Sequence, residues 1–379
     1  MTSILTQRIR RRLTENQRPF PRRDHIIGAL CDEKTAPPDH ERLKSLAEAV
    51  APDLTGAGAL QGFLDDPDVT DVVVNGPDQV WIDRGHGLEH TDTCFPDADT
   101  VGRLASRLAG SAGRRLDASH PYVDVCLHDG TRLHAILPPL ATRGPYLSLR
   151  THRPRAFDLN QLRDNHTVDH VTADLLRRII DARLAFLITG GTGTGKTTLM
   201  NTLLSHISHS ERIILVEDNR ELKPAHPHTV GLQARTANPE GHGHVELSEL
   251  IRQALRMRPD RIIVGECRGV EVTELLSALN TGHDGGAGTL HCNTARDVPA
   301  RLEALALPGG ADRTGLHAQI SAALRVIVHL HRTKRQRYVD HIALIDDSDS
   351  GLEVSTAYST RGHGVAWNRL LRLLEERGA

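Results

Sequence analysis

Apolar positions along the chain follow two regimes. Up to about residue 150 short apolar runs, the first closed by Gly-Pro, read as strands mixed with a helix. V-T-D-V-V-V-N-G (69–76, closed by Gly76-Pro77), Q-V-W-I-D (79–83), Y-V-D-V-C-L (122–127), R-L-H-A-I-L (132–137) and Y-L-S-L-R (146–150) are the predicted strands, with a helix around 98–109 between them. Strands and helices mix without strict alternation, which predicts a small α+β domain. Residues 151–166 have no period and read as a linker. Beyond them the apolar runs are short, β-branched and unalternated: 184–189, 212–217, 261–266 and 288–293, separated by helical stretches at 196–207, 246–257, 271–280 and 295–306. Strands of that kind belong to a parallel sheet buried on both faces, so a three-layer α/β nucleotide-binding fold is expected. Runs at 325–330, 338–345 and 353–358 read as antiparallel additions at a sheet edge, and 367–377 as an amphipathic helix.

The expected organisation is therefore a flexible basic arm and the start of a helix (1–45; the helix at about 41–50), an α+β domain (46–150), a linker (151–166) and an α/β domain (167–379). Seven arginines fall between Met1 and Asp24, against two acids. Such an arm suits an anionic lipid surface or an acidic partner, although arms of this composition are also commonly just solvated. At 39% hydrophobic and 25% charged, the chain is a globular one. It holds no apolar stretch long enough to cross a bilayer and no secretory signal, which predicts a cytoplasmic location. A net charge of −2 and 3% aromatic residues argue against a nucleic-acid track. The five cysteines, Cys31, Cys94, Cys126, Cys267 and Cys292, form no C-x-x-C pair and are expected to be reduced and buried. Paired histidines at 226–228 and 242–244 lack the spacing of a zinc site.

Only five of the 46 basic residues are lysines, which makes Lys196 conspicuous. It closes G-G-T-G-T-G-K-T-T (190–198), a fit to G-x-x-x-x-G-K-[ST] that follows an apolar run and opens a helix. The bland alternative is a glycine-rich turn; the strand-to-helix setting favours a phosphate loop. Backbone amides of Gly190, Gly191, Thr192, Gly193, Thr194 and Gly195 would then curl round phosphates, followed by Lys196, Thr197 and Thr198. Lys196 would reach the β and γ oxygens, and the Thr197 hydroxyl would ligate Mg²⁺. Hydrolysis also needs a group that orients water, and acids at the carboxyl ends of strands are the candidates: Glu217 with Asp218, and Glu266. Gly265 stands where many nucleotidases carry a magnesium-binding aspartate. His283 and His291 flank a glycine-rich turn and short strand, where a histidine could sense a terminal phosphate.

The phosphate loop, then V-E-D-N-R-E-L, then L-R-M-R-P-D-R-I-I-V-G-E-C-R-G-V-E, then N-T-G-H-D-G-G-A-G-T-L-H-C-N-T-A-R-D, resembles the type II/type IV secretion ATPase superfamily, and within it the tight-adherence (Tad) pilus branch. The resemblance covers roughly residues 60–330. It implies a RecA-like P-loop ATPase core, mostly a parallel sheet, behind a smaller amino-terminal domain. It also implies ATP and Mg²⁺ as ligands and a hexameric ring under the inner membrane that drives platform proteins of a pilus or secretion apparatus. By the likeness, Gly190–Thr198 is Walker A, Glu217 and Asp218 lie in an acidic box, and Gly265-Glu266 is an atypical Walker B. His283 and His291 mark a histidine box. Glu266 or Glu217 would orient the water, with Glu217 also near the metal, and Arg132 and Arg150 would reach the nucleotide. Arg235 and Arg256 fall in matching segments. A DNA-transfer ATPase of conjugation type is the alternative, since the same core serves that task.

Overall fold

The computed structural model describes Ile9 and residues 56–151, 157–235, 242–333, 336–348 and 351–378. The arginine-rich arm and the helix expected near 41–50 lie outside the described residues, apart from Ile9. The chain divides into two compact units, Met1–Arg153 and Pro154–Ala379.

The first unit contains α1 (Gln61–Asp65), β1 (Asp71–Val74), β2 (Val80–Asp83), β3 (Leu88–His90), α2 (Ala98–Ser111), β4 (Tyr122–Cys126), β5 (Arg132–Ile136) and β6 (Tyr146–Arg150). The strands form one antiparallel sheet in the order β3-β2-β1-β6-β5-β4. Asp97 caps α2 by accepting from the Thr100 amide at 2.7 Å. Val101, Leu104, Ala105 and Leu108 follow at helical spacing, which turns one stripe of α2 inward. That stripe shares a core with Val72, Leu133, Leu147 and Leu149. Each fully buried aliphatic side chain of this kind contributes about 1.5–3 kcal/mol. The alternate residues of β5 and β6 are left on the opposite face, and there Arg132 stands level with Arg150.

The second unit runs α3 (Leu159–Asp164), α4 (His170–Asp181), β7 (Phe186–Gly190), α5 (Lys196–Ser205), β8 (Ile213–Glu217), β9 (Thr229–Gln233), α6 (Leu247–Ala254), β10 (Arg261–Cys267), α7 (Glu271–Leu279), β11 (Ala287–His291), α8 (Val298–Ala306), α9 (Arg313–Ala323), β12 (Val326–Arg332), β13 (Arg337–Ser348), β14 (Gly351–Ser359), β15 (Gly362–His363) and α10 (Trp367–Glu376). Its nine strands lie in the order β15-β14-β13-β12-β7-β11-β10-β8-β9. Neighbours from β12 to β9 pair in parallel; β13 to β15 add on antiparallel.

Two cores flank this sheet, which explains the unalternated runs. Phe186, Ile188, Ile213, Leu215 and Ile263 pack on one side with α4, α5 and α10. Leu187, Ile214, Val216, Ile262 and Val264 pack on the other with α6, α7, α8 and α9. Successive residues serve opposite layers, so neither face can be polar.

Several elements depart from the sequence expectation. The segment read as a linker holds α3, whose Asp158 and Gln161 make a reciprocal capping box and whose Leu159 and Leu162 enter the second unit's core. Strands β3, β9 and β15 and helices α1, α4 and α9 have no counterpart in the sequence expectation. Cys94 is exposed, against the expectation that the cysteines are buried; Cys267 and Cys292 are buried, and all four described cysteines are free thiols. No helix among the described residues is long and apolar enough to cross a membrane.

Candidate nucleotide site

β7 is buried along its whole length and delivers the chain into the glycine-rich loop at the carboxyl edge of the sheet, between β12 and β11. Gly190 has no alternative there: a Cβ would stand 2.5 Å from the Leu330 carbonyl oxygen of β12, and its φ is +147°. Gly195, at φ +97°, is the left-handed cap that starts α5 at Lys196. The loop carbonyls turn back onto the lysine. Lys196 Nζ donates to Gly190 O at 3.0 Å and Gly191 O at 2.9 Å, and reaches His291 Nδ1 at 3.4 Å.

His291 ends β11, beside β7, and its other nitrogen lies 3.2 Å from Glu266 Oε1 on β10. An ammonium can only donate, so Nδ1 accepts and Nε2 carries the proton toward the carboxylate. Burial and the adjacent Lys196 charge lower the imidazole's pKa, which keeps it neutral. Burial would raise the Glu266 carboxyl, but the hydrogen bond and charge of Arg268, then His291 and Lys196, outweigh it and hold the pKa below its ordinary value. The Arg268 contact is 2.7 Å. Glu266 is thus ionised at neutral pH.

Glu217 ends β8 and is buried, accepting from the Glu221 and Leu222 amides at 3.0 and 2.9 Å. Burial pushes its carboxyl up to about 7, the two amides resisting. Its Cγ would lie 2.8 Å from a Cβ on Gly265. Position 265 is glycine because the Glu217 side chain fills the space an aspartate would need. Thr197 Oγ1 donates to Glu221 Oε2 at 3.4 Å. Thr197, Glu217, Glu221, Glu266 and Arg268 line one cleft. Glu221 and Arg268 were not singled out from the sequence, although both stand inside the motif segments quoted for it.

Several other expected residues bond within their own unit. His283 bonds to Ala278 O and precedes β11, at the end of the parallel sheet opposite the loop, so the structure does not bring it to the site. Arg235 bonds to Gly243 O and Arg256 to Arg252 O, each within its own segment. In the first unit, Arg132 is held bidentately by Asp124 at 3.0 and 2.7 Å, and Arg150 is exposed beside it.

Residues 53–363 match the family described as type II/IV secretion system protein. The chain belongs to that family. A Mycobacterium tuberculosis protein bearing a conjugal-transfer name is 50% identical over 313 residues, 81% of this chain and 89% of that one. Conjugal transfer protein TrbB of Rhizobium radiobacter is 32% identical, covering 75% and 85%. Type IV secretion system protein PtlH of Bordetella pertussis is 31% identical, covering 74% and 92%. Among solved structures, the ATPase DotB of Legionella pneumophila superposes with a TM-score of 0.52 at 18% identity over 77% of this chain and 80% of that one. The pilus retraction motor PilT with bound ADP gives 0.51 at 20% identity over 79% and 81%. These two likenesses establish the RecA-like fold that the sequence predicted.

Proposed function

We propose that this member of the family hydrolyses ATP with Mg²⁺ and works as a hexameric ring beneath the inner membrane, driving platform proteins in Tad-type pilus assembly or type II/IV secretion. One observation carries the reading: Lys196, His291 and Glu266 stand in line at the mouth of the phosphate loop, Lys196 hydrogen-bonded to His291 at 3.4 Å and His291 lying 3.2 Å from the Glu266 carboxylate. The loop amides and Lys196 bind the triphosphate, and Glu266, kept ionised by Arg268, orients and deprotonates the attacking water. His291 holds its Nε2 proton between Glu266 and the terminal phosphate. Thr197, with Glu217 and Glu221 behind it, would hold the Mg²⁺, which supplies charge neutralisation of the phosphate oxygens. Arg132 and Arg150, level with one another on their sheet, are the proposed arginine contributors of positive charge, Arg132 after release from Asp124.

Replacing Glu266 by Gln keeps the size and removes the base. Phosphate release should fall by roughly 10²–10⁴ while ATP binding persists; unchanged turnover would remove Glu266 from the mechanism. Conjugal DNA transfer is the second reading, favoured by the names of the M. tuberculosis and R. radiobacter relatives. Stimulation of turnover by single-stranded DNA would select it over pilus assembly.

A further inference from the structure

Every acid and histidine of the site approaches the phosphate loop from one side. β11, β10 and β8 succeed one another outward from β7 in that direction, and β12 borders β7 on the other. A triphosphate must place its terminal phosphorus beside Glu266 and His291. Its phosphate chain therefore leads back across the loop, and its nucleoside end emerges over β12.

β12 runs parallel to β7 with Leu330 level with Gly190, so the residues just past Leu330 reach the same carboxyl rim as the loop. Arg332 stands there. Its Nη1 lies 2.7 Å from where a Cβ on Gly193 would sit, so the guanidinium rests against the backbone at the middle of the loop. The residue is exposed. Phosphate loops grip phosphates and leave the base to other residues. In a chain with 3% aromatic residues, a planar and weakly hydrated cation can do the stacking that a ring does elsewhere.

We propose that Arg332 contacts the nucleoside end of the bound nucleotide, its guanidinium plane stacking on the purine ring. The inference rests on the ATP-binding reading above and adds a residue that none of the loop, acid or histidine motifs contains. The test measures dissociation constants of the full chain for ADP, a nonhydrolysable ATP analogue and inorganic tripolyphosphate, in wild type, Arg332→Ala and Arg332→Lys. Arg332→Ala should weaken both nucleotides by roughly five- to thirtyfold, the range of a desolvated cation–π contact, and leave tripolyphosphate within about twofold. Arg332→Lys, which keeps the charge but loses the plane, should fall between and serves alone if the alanine variant does not fold. Equal nucleotide affinity in wild type and the variants overturns the inference. So does an equal loss for tripolyphosphate, which would make Arg332 a phosphate or loop-supporting group. Wild-type protein that binds no ATP at all would overturn the functional reading and this inference together.

Discussion

Glu217 and Glu266 approach the same cleft with opposite electrostatics. Glu266 has a guanidinium and an imidazole against it, whereas Glu217 is dominated by burial, which its two backbone amides and the charge of Arg220 only partly offset, so one stays charged and the other is poised near neutrality. Under the proposed mechanism the difference would divide the labour: the ionised Glu266 for water activation, and Glu217 for a cation that would complete its ionisation. It also sets a pH dependence. An unfolded chain releases the Glu217 proton near 4.5, the folded one near 7. Below the first value both states hold it and the fold bears no penalty; between the two, stability falls as pH rises. Above about 7 the buried charge costs about 3 kcal/mol. Glu217→Gln should therefore melt higher than wild type near about pH 8, and the two should converge below about pH 5, as followed by thermal unfolding. The sequence revealed both acids through their place at strand ends. It could not reveal which was buried, because that depends on the glycine at 265 and on the turn formed by Glu221 and Leu222.

The strands and helices were legible where their apolar period was complete. Doubly buried strands such as β7, β8 and β10 announce themselves because every side chain must be apolar. β9 escaped notice because it is an edge strand with Val230 and Leu232 only partly buried, and α9 because only Leu316, Ile320 and Ala323 turn inward. A polar residue at the start of β10 was equally illegible. Arg261, with a side chain only 1% exposed, donates to Glu211 at 2.8 and 3.0 Å and to Ile180 O at 2.9 Å, tying β10 to the end of α4 and the turn before β8. Removing one partner of such a pair strands the other. Glu211→Ala is expected to cost about 3–5 kcal/mol and to lower the melting temperature accordingly, while Arg261 and Glu211 replaced together by apolar residues of similar volume should recover most of that loss.

At the scale of the whole molecule, the chain divides into two compact units, each with its own sheet and its own core or cores. The position of β7, which leads into the glycine-rich loop, has a mechanical consequence. β7 is the middle one of nine, with four strands to either side. Amide protons exchange with solvent from the margins of a sheet inward, since the middle opens only when most of the domain does. Deuterium should therefore enter β9 and β15 within the earliest labelling times and reach residues 186–190 among the last; early labelling of 186–190 would contradict this. Under the proposed function, any wear would fall on the hem of the fabric while the weave around the glycine-rich loop stays closed.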